Sequence, residues 1–182
     1  MLKLSDNPPI TYPPGVSVGE ISGTWWVAHT KARNEKALAH NLRSWEIPYF
    51  LPLVEKVHII RGRRLRSLLP LFSGYLFFVG GDAERYKVMT TNRVAKVINV
   101  VDQARLVREL TQLERALAGK AQLDPYPFVR EGRRCRVAAG PLRGLEGIVE
   151  RRRGLTRLIL TVEALGQAVS LETDAALLEP VD

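Results

Sequence analysis

Between Val129 and Glu150 the chain reads VREGRRCRVAAGPLRGLEGIVE, and the spacing of its glycines and proline decides how the C-terminal part folds. Glycine reaches positive φ without a Cβ clash and proline pre-sets φ at a turn, so Gly140-Pro141 followed by Gly144 and Gly147 marks backbone that curls sharply. Short β-prone segments surround these corners: Arg134 to Ala138, Gly147 to Arg151, Arg157 to Val162 and Gln167 to Glu172. Strands this short, joined by tight turns, predict a small β-barrel over residues 129–182. Cys135 alternates with Arg134 and Arg136, which places it on the inward face as a small core residue. As the only cysteine it can form no intramolecular disulfide.

Upstream the texture changes. Asp124-Pro-Tyr-Pro-Phe128 is interrupted by proline and reads as a linker over 120–128. Before it, Val107, Leu110, Leu113 and Leu117 share one face of a helix that ends near Gly119. Earlier still, Trp25-Trp-Val-Ala-His-Thr30 reads as a strand. Asn34, Leu38, Leu42 and Trp45 then follow helical spacing until Pro48 forbids continuation. Tyr49 to Val54 and Val94 to Val101 are strand-like, Gly74 to Val79 is an apolar β-prone run, and Asp82 is placed to cap a short helix reaching Met89. These alternating elements predict an α/β domain over 24–119. Residues 1–23 carry Pro8, Pro9, Pro13 and Pro14 among polar residues and read as a disordered leader.

The net charge of +8 and a pI near 10.0 favour anionic partners, with nucleic acid ahead of a membrane because no basic amphipathic helix stands out. No apolar run approaches the roughly 18 residues that cross a bilayer, and no secretory leader is visible, so the cytoplasm is expected.

Three constellations are candidates for function. The run Pro70-Leu-Phe-Ser-Gly-Tyr-Leu-Phe-Phe78 puts apolar side chains on both faces of a strand, and an aromatic patch left uncovered would be a protein-binding site. The second is Arg61-Gly-Arg-Arg-Leu-Arg66, near Lys56 and His58, which reads as a basic hairpin. If it contacts about four phosphates, raising salt from about 50 to 200 mM weakens binding on the order of a hundredfold. The third is the arginine crowd Arg130, Arg133, Arg134, Arg136, Arg143, Arg151, Arg152, Arg153 and Arg157; no aromatic residue follows Phe128, so base stacking is not expected there. Catalytic readings fail. Gly140, Gly144 and Gly147 lack the Gly-Lys-Ser/Thr of a phosphate loop, and His29, His40 and His58 share no metal-ligand spacing with one another or with Cys135. No enzyme activity, cofactor or metal is expected.

Taken in order, these blocks resemble the NusG family of transcription elongation factors, including its specialised paralogues. The resemblance rests on Trp25 to Lys36, Tyr49-Phe-Leu-Pro-Leu53, Pro70 to Phe77, Asn92-Arg-Val94 and the glycine-rich segment through Gly147, which is similar to a KOW motif. It implies an α+β chain: an N-terminal α/β sandwich of the NGN type, an antiparallel sheet flanked by helices, plus a C-terminal SH3-like KOW barrel. It implies RNA polymerase clamp helices as the partner of His29, Phe72, Tyr75 and Phe77. It also implies non-template or upstream DNA as the partner of Lys31, Arg61, Arg63, Arg64, Arg66 and Arg93. The barrel of the family recruits termination factor Rho or a small-subunit ribosomal protein through a loop matching Ala164, Leu165 and Gln167. Here Ala164-Leu-Gly-Gln167 lacks the aromatic and arginine of the housekeeping factor, which points to an operon-specialised antiterminator. Ser73 stands where a proline is usual, a change that softens the turn without removing it. The competing reading is a KOW-containing RNA-binding or ribosome-associated protein.

Overall fold

The computed structural model describes residues 6–128 and 132–181. Val129 and Arg130, at the start of the basic segment, lie outside the described residues. Contacts divide the chain into two units, residues 1–103 and 104–182.

In the first unit the chain runs through β1 (Thr11–Tyr12), β2 (Trp25–Thr30), α1 (Glu35–Ser44), β3 (Tyr49–Phe50), β4 (Leu53–Ile60), β5 (Arg63–Pro70), β6 (Tyr75–Val79), α2 (Asp82–Met89) and β7 (Val94–Asn99). Five of these strands form an antiparallel sheet in the order β1-β3-β6-β2-β7, and β4 with β5 makes a separate two-stranded ribbon. Strand alternation sorts the side chains. Ala28, Leu76 and Phe78 point to one face, where they join Leu38, Ala39 and Leu42 of α1 and Val88 of α2 in a buried cluster. Trp25, Val27, Phe50 and Phe77 point to the other and are buried as well.

Residues 6–23 correct the expectation of a disordered leader. Thr11 and Tyr12 pair with Phe50 and Tyr49, the Leu51 amide donates to the Ile10 carbonyl at 2.7 Å, the Tyr49 hydroxyl donates to the Pro9 carbonyl at 3.1 Å, and Val18 is fully buried. Proline fixes φ at a value that an edge strand accepts, so this segment gains order from the β3 edge without a core of its own. The strand expected from Tyr49 to Val54 is divided at Leu51-Pro52, where the chain leaves the sheet for the ribbon. At α2 the cap is Gly81 rather than Asp82, and the Glu84 carboxylate reaches back to accept the Gly81 amide at 2.7 Å.

The second unit holds α3 (Gln103–Ala118, of which Gln103 counts with the first), β8 (Asp124–Tyr126), β9 (Arg133–Val137), β10 (Glu146–Arg152), β11 (Leu155–Val162), β12 (Gln167–Glu172) and β13 (Leu178–Pro180). Leu106, Leu110, Leu113 and Ala116 form the buried stripe of α3; of the expected face only Leu110 and Leu113 belong to it, and Val107 and Leu117 are half-buried. The helix counts with this unit, in place of the expected boundary after 119, because its side chains hold strand ends. Gln112 Oε1 accepts the Glu146 amide at 3.0 Å and Glu109 Oε2 accepts the Glu163 amide at 3.1 Å.

The strands form one antiparallel sheet in the order β13-β9-β10-β11-β12-β8. Part of the expected linker is therefore strand, with Pro125 opposite Val169 on the outermost ladder. Among the described residues no ladder joins β13 to β8, so the expected closed barrel is an open sheet. Both edge strands have three residues, and Pro125 and Pro180 bring no amide with which to extend a ladder. Gly147 is placed by close approach: a Cβ there would lie 2.4 Å from the Ile159 carbonyl oxygen on the neighbouring strand. Gly147→Ala is expected to destabilise the second unit by about 1 to 3 kcal/mol through overpacking, read as an earlier transition in urea unfolding.

Candidate functional site

At one end of the five-stranded sheet, Phe72-Ser-Gly-Tyr75 forms a tight turn. The Tyr75 amide donates to the Phe72 carbonyl at 3.1 Å, and Gly74 has φ of 84°, the positive value that the third position of a type II turn requires. Ser73 thus leaves the turn intact. The turn is tied down twice: the Gly74 amide donates to Glu35 Oε1 at 2.6 Å, and the Thr30 amide donates to the Gly74 carbonyl at 2.8 Å. Glu35 opens α1 and is itself buried, so a carboxylate inside the unit fixes the position of a surface loop.

This turn sets the aromatic residues. The His29 and Tyr75 rings stack with centroids 4.9 Å apart and planes 16° from parallel, and both are half-buried. The other two expected partner-facing rings are not at the surface: Phe72 is 2% exposed and Phe77 0%, with Phe77 set 6.3 Å from the Phe50 ring. Burial removes them from direct contact with any partner of the folded chain. Phe77 shares its face with Tyr75 but sits inside the sheet, between the buried Val27 and Phe50 on the neighbouring strands, whereas Tyr75 is at the strand's start.

Of the expected basic residues, the structure brings Lys31 and Arg93 to this end of the sheet. The Lys31 amide donates to the Arg93 carbonyl at 2.7 Å, one residue beyond the Thr30 link to the turn. The Lys31 ammonium bonds Asn92 Oδ1 and remains exposed. Arg93 is half-buried, its guanidinium donating to Asn41 Oδ1 on α1 at 2.8 Å and to Oδ1 of Asn34, the residue before α1, at 3.1 Å. It braces the helix against the start of β7.

The basic hairpin is a regular ribbon of eight paired residues on each arm, from Leu53 opposite Pro70 to Ile60 opposite Arg63. Its loop is Arg61-Gly62, with φ of 49° and 75°, the signs of the type I′ turn that suits a twisted two-residue hairpin. Arg61, Arg63 and Arg64 are exposed without an acidic partner among the described residues, whereas Arg66 pairs with Glu55 at 3.3 Å. One face of the ribbon combines Val57 and Ile59 with Arg64 and Arg66, and Ile59 is 72% exposed. The sequence reading found the arginines and missed these apolar residues, whose exposure follows only from the ribbon standing clear of any covering layer.

In the second unit Ala164 and Leu165 lie in a short helical turn and Gln167 opens β12, all three half-buried. Glu109 sits beside them. Its side chain is 13% exposed, bonds the Glu163 amide, and faces Arg105 at 3.4 Å, and Arg105 also bonds Glu163. Burial pushes its carboxyl up to about 7, against the opposing pull of the Glu163 amide and Arg105. Neither Glu35 nor Glu109 was singled out from sequence, because a glutamate on a helix usually reads as solvated.

Residues 23–117 match the sequence model of the family described as transcription termination factor NusG, which is more than half of the chain. Among solved structures, a chain of an MjSpt4:Spt5 complex in its conformation B matches at 13% identity, covering 87% of this chain and 97% of that one. Its TM-score is 0.28, too low to carry an argument. No curated protein matches.

Glu35→Ala is expected to leave the Gly74 amide unpaired, at a cost of about 1 to 3 kcal/mol and with faster hydrogen exchange at Gly74 and Thr30. For Glu109 the folded-state value lies above the ordinary 4.5, so its contribution is complete below that value and lost as pH rises through about 7. The second unit should therefore lose on the order of 2 kcal/mol between pH 5 and pH 8. Melting curves of Glu109→Gln should lack that slope.

Proposed function

The chain belongs to the NusG family, and from that premise we propose that it is a transcription elongation and antitermination factor that binds the RNA polymerase clamp. The observation that supports this reading is the stacked His29–Tyr75 pair, held at the surface by the Glu35-anchored turn beside the exposed Lys31. His29 and Tyr75 make the contact with the clamp helices. Phe72 and Phe77, the family's other aromatic positions, act from beneath by giving the stack a rigid floor. Lys31 reaches the non-template strand, with Arg93 holding the loop in place, and the ribbon with Arg61, Arg63, Arg64 and Arg66 lies along upstream DNA.

The action is binding rather than catalysis. A factor that holds the closed clamp more tightly than the open one shifts the equilibrium by that difference in affinity and no more. Suppressed pausing and termination follow from a clamp kept closed. In this reading the second unit is the family's KOW module, with an open sheet where the SH3-like barrel was expected, and its loop at Ala164, Leu165 and Gln167 meets Rho, a small-subunit ribosomal protein or a specialised substitute. The missing aromatic and arginine in that loop favour an operon-specialised role carried out in the cytoplasm.

The two classes of aromatic separate in one experiment. Tyr75→Ala should weaken capture of purified RNA polymerase by at least tenfold at unchanged melting temperature, as loss of an aromatic anchor typically costs roughly 2 to 4 kcal/mol. Phe77→Ala should instead destabilise the first unit by about 3 to 5 kcal/mol. Full capture by the Tyr75 variant, with co-sedimentation on ribosomes in the absence of transcription, contradicts the proposal.

A further inference from the structure

The chain contains a second ribbon tip built like the first. Where β10 turns into β11 the loop is Arg153-Gly154, with φ of 51° and 78°, and Arg152 pairs with Leu155 just below it. The corresponding values at Arg61-Gly62 are 49° and 75°. Type I′ turns favour asparagine, aspartate or glycine at their first central position, and an arginine there carries the cost of a left-handed backbone. Both tips accept that cost and place an exposed arginine at the turn of a ribbon.

Around the second tip the charge is dense. Arg151 and Arg152 lead into the turn, while Arg133 and Arg134 stand on the neighbouring strand opposite Val149 and Ile148. All five arginines are exposed, and none has an acidic partner among the described residues. Arg136 and Arg157, by contrast, are occupied by Glu146 at 2.8 Å and Glu172 at 3.6 Å. Glu150, the carboxylate nearest the tip on β10, has its Oε2 buried and bonded to none of them.

We infer that the end of the sheet formed by Arg133, Arg134, Arg151, Arg152 and Arg153 is a second nucleic-acid contact, one that grips the phosphate backbone of a duplex without reading its bases. The guanidinium fork matches phosphate oxygens in pairs, and with Arg133 and Arg151 on one face of the ladder and Arg134 and Arg152 on the other, the strand end is basic on both sides, as a tip set against a polyphosphate track requires. The hairpin carries no aromatic ring, so it offers no platform on which unpaired bases stack. It also lacks the aromatic anchors that dominate protein interfaces, which favours nucleic acid over an acidic protein.

The assay is fluorescence anisotropy of the full chain on a labelled 20-base-pair DNA duplex, from about 50 to 200 mM salt. The variant is Arg151→Gln, Arg152→Gln and Arg153→Asn combined, the last chosen because asparagine tolerates the left-handed turn. Loss of three phosphate contacts should lower the log–log salt slope by about 2.7 and weaken binding at least tenfold at 100 mM salt. A matching Arg→Lys triple variant should keep most of the slope, which separates lost charge from a misfolded hairpin. Unchanged affinity and slope in the Gln/Gln/Asn variant overturns the inference. So does tighter binding to a 20-nucleotide single strand, or displacement by polyglutamate as effective as by unlabelled duplex. Polymerase capture by the same variant should be unaffected, so failure here is distinct from failure of the clamp proposal.

Discussion

A single buried carboxylate holds the candidate site together. Glu35, at the first turn of α1, accepts the Gly74 amide at 2.6 Å, and the Gly74 carbonyl in turn accepts the Thr30 amide at 2.8 Å. Helix, turn and strand are thereby locked in one arrangement, and the His29–Tyr75 stack takes its orientation from it. A carboxylate hidden from water is expensive unless its oxygens are hydrogen-bonded, so the amide and the acid each depend on the other. Glycine is required at position 74 for its positive φ; a Cβ there would only meet the His29 ring at 3.6 Å, an ordinary contact.

Alternation along β6 divides the aromatic run between two tasks. Leu76 and Phe78 fill the core under the helices, Phe77 is buried on the opposite face, and Tyr75, at the strand's start, reaches the surface. The run that looked like a broad apolar patch is therefore a narrow one, a stacked pair on a buried floor. A small site of this kind gains its affinity from rigidity more than from area, because little conformational entropy is lost when a partner docks on rings already fixed. The ribbons are the opposite case. In the proposed reading their exposed arginine side chains act through charge, which steers encounter and falls away as salt rises.

Much of this was legible in the sequence where a local rule decides the structure. Gly140-Pro141 and the helical spacing of Leu110 and Leu113 are signals of that kind, as is the Arg61-Gly62 turn between basic arms. What was not legible depends on distant partners. Thr11 and Tyr12 become a strand because Phe50 and Tyr49 offer an edge, and nothing within the proline-rich segment announces it. Asp124-Pro-Tyr126 becomes a strand by lying against Ala168 to Ser170, at an outer edge where proline is tolerated. Period-two alternation assigned Phe77 to a face but could not say whether that face is covered. Glu35 and Glu109 escaped notice because burial of a helical glutamate is a tertiary outcome.

The central claim is that the Glu35-anchored turn presents His29 and Tyr75 to a transcribing polymerase. Amide hydrogen exchange, compared for the chain alone and bound to a purified elongation complex, tests it most directly. The account predicts slowed exchange across residues 27–31 and 72–77 in the complex. Protection confined to the second unit, with those two segments unchanged, contradicts it.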